Sequence, residues 1–93
     1  MIGYCFLLPA EEEMTEASVF YEAATSGLGA GFLDEVQRLV EILREHPELG
    51  QLVDPGIRRV LLHRFPFSLI YSLEVDALLI VAVAHQRRRP DRI

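Results

Sequence analysis

The sequence FSLIYSLEVDALLIVAVAH, residues 67–85, contains two apolar runs separated by a short turn. The runs cover residues 67–73 and 77–85, and the turn is Glu74-Val75-Asp76. Short runs of this composition, bounded by turn residues, are typical of β-strands. They predict two consecutive strands, and the unbroken apolar run of the second predicts a central strand that is covered on both faces.

A third strand is predicted before this pair, over Ile57 to Arg64, and the dipeptide Phe65-Pro66 ends it. Its side chains alternate between the two faces of the sheet. One face then carries Arg58, Val60, Leu62 and Arg64, and the other carries Ile57, Arg59, Leu61 and His63. Because both faces are partly polar, one of them is a candidate functional face. The preceding residues, 47–56, hold three turn signals and are predicted to form a loop.

The first half of the chain predicts one strand followed by two helices. Residues 2–8 form a short apolar run that is typical of a strand. Apolar residues at steps of three and four then predict an amphipathic helix over residues 10–26. A second apolar stripe runs from Phe32 to Leu43, and Pro47 ends it. Glycines within residues 27–31 separate the two stripes, so the helices are predicted to form an antiparallel hairpin.

Length and composition limit the class of protein. A chain of 93 residues with 51% apolar and 25% charged residues predicts one packed domain, residues 1–93, and not a disordered chain. Cys5, the single cysteine, forms neither an internal disulfide nor a metal cage. No signal-peptide pattern opens the sequence, and no apolar run approaches the roughly 20 residues of a membrane helix. We therefore expect a cytoplasmic protein with no membrane segment, no metal and no cofactor.

Charge is distributed unevenly along the chain. Residues 1–50 hold ten acidic residues and two arginines, a net charge of −8. Residues 51–93 hold seven arginines and four acidic residues, a net charge of +3. The chain has nine arginines and no lysine. The planar guanidinium of arginine suits carboxylates and phosphates. The basic half therefore indicates a negatively charged partner.

Several short segments occur along the chain in a definite order. They are Phe20-Tyr21-Glu22, Gly27-Leu28-Gly29, Phe32-Leu33-Asp34-Glu35-Val36, Pro47, Arg59-Val60, Arg64-Phe65-Pro66-Phe67, Ile70-Tyr71 and Val81-Ala82-Val83-Ala84-His85-Gln86-Arg87-Arg88. Together they resemble the RelE/ParE superfamily of toxins from type II toxin–antitoxin modules, which are often called plasmid stabilisation proteins. The resemblance extends over nearly the whole chain.

This resemblance implies a fold, a partner and two possible targets. The implied fold is α+β, with an N-terminal strand and an antiparallel helix hairpin packed on a mostly antiparallel four-stranded sheet, in the order β-α-α-β-β-β. The implied partner is a cognate antitoxin that neutralises a growth-arresting toxin. ParE-like members bind and block DNA gyrase, whereas RelE-like members cleave messenger RNA on the ribosome without a metal.

The residues favour the ParE-like alternative. Metal-free RNA cleavage requires a base for the 2′-hydroxyl, cations for the phosphate oxygens and an acid for the leaving group. For RelE-like action, the candidate catalytic residues are Arg59, Arg64, His85 and Arg87. However, the chain has no lysine and no tyrosine after Tyr71, and it ends in Pro90-Asp91-Arg92-Ile93 where related sequences often have Pro-x-Tyr-Trp. The RelE-like nuclease, and a degenerate module that binds its antitoxin without being toxic, remain as alternatives.

Each candidate residue also has a structural alternative. His85 ends an apolar strand, where a histidine is more often a hydrogen-bonded structural residue than a general acid. The arginines that follow His85 could instead form a solvated tail with no binding role. The candidate partner- or target-binding residues are Arg58, Arg59, Arg64, Arg87, Arg88, Arg89 and Arg92. The toxin hypothesis requires these guanidinium groups to lie on one surface, which the antitoxin covers.

Overall fold

The computed structural model describes residues 1–86. These residues form two helices and five strands. Their bounds are β1 Gly3–Phe6, α1 Leu8–Ala24, α2 Leu28–Glu45, β2 Gln51–Asp54, β3 Ile57–Leu61, β4 Phe67–Leu73 and β5 Ala77–His85.

The strands form one sheet in the order β1-β5-β4-β3-β2. β1 pairs in parallel with β5, whereas the other three pairings are antiparallel. The predicted α+β class, the helix hairpin and the mostly antiparallel sheet are confirmed. β1 and β3 end earlier than predicted, at Phe6 and Leu61. The predicted number of four strands is wrong, because residues 51–54, which were expected in a loop, form β2.

β2 is a short strand at the edge of the sheet, and all of its residues are exposed. It pairs with β3 through an irregular register between Leu52 and Asp54. Gly56 turns the chain between the two strands at φ 73°, a backbone region that glycine adopts without steric cost. An exposed edge strand needs no apolar face, so its sequence lacks the alternation from which strands are predicted.

The buried side chains of β4 and β5 line one face of the sheet. Leu69 and Tyr71 of β4 and Leu78, Ile80 and Val83 of β5 are fully buried. The side chains that alternate with them on β5 are only half-buried. β5 is central, between β1 and β4, as predicted. Within residues 1–86, the prediction that it is covered on both faces is wrong, because the two helices lie on one face and no described element covers the other.

α2 supplies most of the helical side chains in the core. Phe32, Val36, Val40 and Leu43 are buried and lie three or four residues apart, so one side of α2 packs on the buried face of the sheet. α1 contributes smaller residues, of which Ala10 is fully buried. Within the part of the chain that the structure describes, no helix is long and apolar enough to cross a membrane.

Two glycines determine the geometry of the helix hairpin. Gly27 adopts φ 89° and reverses the chain between α1 and α2. Gly29 lies inside α2, where a Cβ would overlap the carbonyl oxygen of Ser18 and come within 2.9 Å of the Glu22 Cβ. The Glu22 carboxylate accepts hydrogen bonds from the N–H groups of Gly27, at 2.8 Å, and Gly29, at 3.0 Å, and these bonds lower the pKa of Glu22. The two helices therefore touch backbone to backbone at this point.

Candidate functional site

Arg58 is bonded to the loop that precedes β2. Its Nη1 donates hydrogen bonds to the carbonyl oxygens of Gly50, at 2.7 Å, and Glu48, at 3.1 Å. Tyr71 holds the same loop, because its hydroxyl donates to the Pro47 carbonyl at 2.7 Å and accepts from the Gly50 N–H at 3.0 Å. Burial raises the pKa of Tyr71, which keeps the phenol neutral. Arg58 is therefore an anchor for this loop.

Arg64 lies beyond the end of β3 and forms an ion pair with Glu35 of α2. The Arg64 Nε donates to Oε1 of Glu35 at 3.1 Å, and the Arg64 backbone N–H donates to Oε2 at 3.0 Å. The backbone N–H of His63 donates to the same Oε2. The Glu35 side chain is 9% exposed, whereas that of Arg64 is 57% exposed. The cluster connects the loop after β3 to α2.

Glu35 is the buried acceptor of this cluster. Burial alone would raise the pKa of Glu35, but the N–H groups of Arg64 and His63, together with the Arg64 guanidinium, hold it below its ordinary value. Glu35 is not among the candidate site residues predicted from the sequence, although its spacing on α2 indicates a buried position. It lies three residues after Phe32 and four before Leu39, on the apolar stripe of α2. A charged residue on such a stripe is buried and needs partners.

Arg59 lies on the face of the sheet opposite the helices. Within residues 1–86, its guanidinium forms neither a hydrogen bond nor an ion pair. It borders a depression that we call the open-face hollow. This hollow is lined by Arg59 and Leu61 of β3, Ser68 and Ile70 of β4, and Ala82 and Ala84 of β5, with His85 and Gln86 beside them.

His85 is half-buried at the end of β5. It lies opposite Phe67 in the sheet, and its ring meets the Phe67 ring edge-on with 5.1 Å between the ring centroids. This packing agrees with the structural alternative for His85. The residue nevertheless borders the open-face hollow as well.

The prediction that the arginines share one surface is wrong for the described part of the chain. Arg58 bonds to a loop backbone and Arg64 pairs with Glu35, whereas Arg59 faces the open-face hollow. Of the four candidate catalytic residues, Arg59 and His85 line the same hollow and Arg64 does not. The remaining candidates, Arg87, Arg88, Arg89 and Arg92, lie outside the described residues.

Among residues 1–86, the open-face hollow combines an apolar floor with one arginine. Ile70 and two alanines supply the apolar surface, and Arg59 supplies the charge. Of the residues that the structure describes, no Phe, Tyr or Trp side chain lines it. In residues 1–86, no group of three His, Cys, Asp or Glu side chains is placed to hold a metal ion. Such a surface suits a protein segment that carries a carboxylate next to apolar side chains.

Comparisons with known proteins found one matching family model and a solved structure of similar fold. The family model of the ParE toxin of the type II toxin–antitoxin system parDE matches residues 5–90. Among solved structures, the chromosomal ParDE TA system from P. aeruginosa has a similar fold, with a TM-score of 0.65. That match has 20% sequence identity and covers 91% of this chain and 96% of the other. No curated protein matches the sequence.

Proposed function

Because the chain belongs to the ParE toxin family of type II toxin–antitoxin systems, we propose that it arrests growth by binding and blocking DNA gyrase. Its protein partner is a cognate antitoxin, which neutralises it. The RelE-like alternative has less support, because the family model that matches residues 5–90 is the ParE model.

The match to the ParE family model carries the toxin assignment, and not a shared arginine surface, which the toxin hypothesis required. The dispersed arginines bear on the mode of action instead. Cleavage of RNA without a metal needs a base, an acid and several cations around one phosphate. Arg64 instead pairs with a buried carboxylate, and Arg58 is bonded to backbone carbonyls. Within residues 1–86, the open-face hollow therefore brings one arginine and one histidine together and no second cation. This supports contact with a protein rather than chemistry on a phosphate.

We place the contact with gyrase at the open-face hollow. Arg59 is the one arginine of β3 whose guanidinium is uncommitted among the described residues. An apolar floor beside a free guanidinium matches a target segment with a carboxylate, because a desolvated guanidinium–carboxylate pair is both strong and directional. The candidate arginines at positions 87, 88, 89 and 92 extend this proposal as further target- or partner-binding residues.

Expression of the chain from a tightly controlled promoter is expected to arrest growth and to break DNA while messenger RNA stays intact. Blocking gyrase traps broken DNA, whereas a nuclease leaves new RNA ends. Mapping of messenger RNA 5′ ends and gel analysis of chromosomal DNA after induction distinguish the two. Coexpression of the cognate antitoxin should restore growth.

Two results would contradict this proposal. Codon-phased cuts in ribosome-bound messages would assign the chain to RelE-like action. Intact growth at verified expression, together with intact antitoxin binding, would identify a degenerate module that is no longer toxic. Purified gyrase in a supercoiling assay provides the direct check, because its inhibition does not depend on the physiology of the cell.

The variant Arg59→Ala is expected to inhibit gyrase about tenfold less than the wild type, because it removes the only charge of the hollow that the described residues supply. The matched control is Arg38→Ala, which removes an exposed arginine on α2 outside the hollow. The concentration that gives half-maximal inhibition is measured for both. Equal inhibition by Arg59→Ala and the wild type would exclude the hollow as the gyrase contact.

A further inference from the structure

A second surface lies on the helical side of the sheet, between α1 and the end of β5. We call it the α1 groove. It is lined by Glu13, Glu16 and Phe20 of α1 and by Phe67 and Val83 of the sheet, together with Tyr21. The groove shares one lining residue, His85, with the open-face hollow and lies on the other face of the sheet. The groove is therefore a separate candidate surface.

The α1 groove lies where β5 extends beyond its pairing with the shorter strand β1. The pairing of β1 with β5 ends at Phe6 and Ile80, after which the Leu7 N–H donates to the Ile80 carbonyl at 3.0 Å. Among the elements that the structure describes, α1 and not a strand lies beside β5 from there to His85. The Glu13 carboxylate of α1 accepts a hydrogen bond from the Val83 N–H at 2.9 Å. A helix cannot close against a strand edge as tightly as another strand does, and the groove is the space that remains.

Phe20 gives the α1 groove an exposed aromatic wall. Its side chain is 68% exposed, and its ring meets the Tyr21 ring edge-on with 5.4 Å between the centroids. Phe67 and the buried Ala17 lie beside it in the groove. Burial of a phenylalanine ring removes a large apolar area from water, so contact with a partner would stabilise this exposed ring further. Exposed apolar surface with a polar rim marks interaction sites.

The charge around the α1 groove selects the chemistry of its occupant. α1 carries five glutamates and no basic residue. Glu16 is exposed and, within residues 1–86, has neither a hydrogen bond nor an ion pair. It also borders a neighbouring depression with Glu11, Glu12 and Thr15. A complementary segment therefore carries Lys or Arg next to its apolar anchor.

We propose that the α1 groove binds a segment of the cognate antitoxin in which a large apolar side chain packs against Phe20 and a neighbouring Lys or Arg pairs with Glu16. This inference rests on the proposed function, because it gives the cognate antitoxin a binding surface apart from the proposed gyrase contact. Among the described residues the groove carries acidic side chains and the open-face hollow carries Arg59, so the antitoxin segment differs in charge from the gyrase segment proposed for the hollow. His85 borders both surfaces at the end of β5.

The test measures the affinity of toxin variants for the purified antitoxin by surface plasmon resonance. Phe20→Ala is expected to raise the Kd at least about tenfold, as expected for a central aromatic anchor. The control Val19→Ala changes a residue that is 63% exposed on the same helix but lies outside the groove, and it should change the Kd less than about twofold. Because both side chains are exposed, both variants should fold, which thermal unfolding checks.

Reversing the charge of Glu16 provides a second, independent test of the α1 groove. Glu16→Lys is expected to raise the Kd about fivefold at low salt and less at high salt, because salt screens an exposed ion pair. The control is Glu45→Lys, at an exposed glutamate in the last turn of α2. A Kd for Phe20→Ala within about twofold of the wild type would overturn the proposal. So would self-association of the free toxin through Phe20, because a second copy would then be the occupant.

Growth assays separate this inference from the proposed function. Phe20→Ala expressed alone should arrest growth as the wild type does, but coexpressed antitoxin should rescue it poorly. A wild-type chain that arrests nothing, yet loses antitoxin affinity through Phe20→Ala, would refute the toxicity and support the groove. A Phe20→Ala variant that is fully rescued at low antitoxin levels would refute the groove alone.

Discussion

Replacing Glu35 with alanine is expected to lower the free energy of unfolding by about 3 kcal/mol. The carboxylate accepts hydrogen bonds from the backbone N–H groups of His63 and Arg64 and from the Arg64 Nε. Alanine leaves these donors without an acceptor, and each loss costs about 1 kcal/mol or more. A domain of this size is stable by only about 5–15 kcal/mol, so the loss is a large fraction. Urea denaturation followed by circular dichroism measures it.

Acid should weaken the same cluster. The folded-state pKa of Glu35 lies below its unfolded value, so its contribution is complete above the ordinary carboxyl pKa of about 4.3. That contribution is lost as the pH falls through the lower folded-state pKa. Glu35→Gln should therefore show a smaller loss of stability in acid than the wild type. The control is Asp34→Asn, at the exposed neighbouring position on α2, which should change stability by less than about 0.5 kcal/mol. Equal pH profiles for wild type and Glu35→Gln would rule out this role.

Replacing Gly29 with alanine is expected to lower the free energy of unfolding by about 2–4 kcal/mol, the range of severe packing defects. The new Cβ would overlap the carbonyl oxygen of Ser18, which is backbone and cannot rotate away. The helices must then separate, and the hydrogen bond from the Gly29 N–H to the Glu22 carboxylate lengthens with them. The midpoint of urea denaturation reports the loss.

Gly31 provides a control of opposite sign in the same helix. A Cβ at Gly31 would lie 3.5 Å from the nearest atom, the Nη2 of Arg64, which is ordinary contact. Gly31→Ala should therefore stabilise the protein by about 0.5–1 kcal/mol, the difference in helix propensity between the two residues. If Gly29→Ala stabilised the protein as Gly31→Ala does, helix propensity alone would account for both variants, and the close contact between the helices at Gly29 would be refuted.

The strands and helices that bury a face could be predicted from the sequence. β4 and β5 match their predicted bounds, because their apolar runs and the turn between them are unambiguous. The helix hairpin follows from two apolar stripes and the glycines between them. β2 could not be predicted, because it pairs through its backbone at the sheet edge and buries no side chain.

The candidate site was harder to predict. The alternation of side chains along a strand indicates the face on which a residue lies, but not the residue that it contacts. Arg58 and Arg59 are consecutive in β3, so they lie on opposite faces of the sheet. Alternation alone thus argued against a single arginine surface. Arg58 bonds to the carbonyl of Gly50, 8 residues away in sequence, and Arg64 bonds to Glu35, 29 residues away. Such contacts cannot be inferred from the local pattern. The α1 groove could not be predicted, because the apolar pattern of α1 does not show that the Phe20 ring is left exposed.

β1 and β5 are sheet neighbours although they lie near opposite ends of the described chain, with Gly3 beside Ala77. The ribosome synthesises β1 before β5, so β1 cannot form its sheet pairing until β5 has been synthesised. Closure of so long a loop is a late folding event. The proposed gyrase surface also takes two alanines from β5, and it is incomplete until that strand has emerged. The chain therefore cannot present this surface before β5 has been synthesised and has joined the sheet.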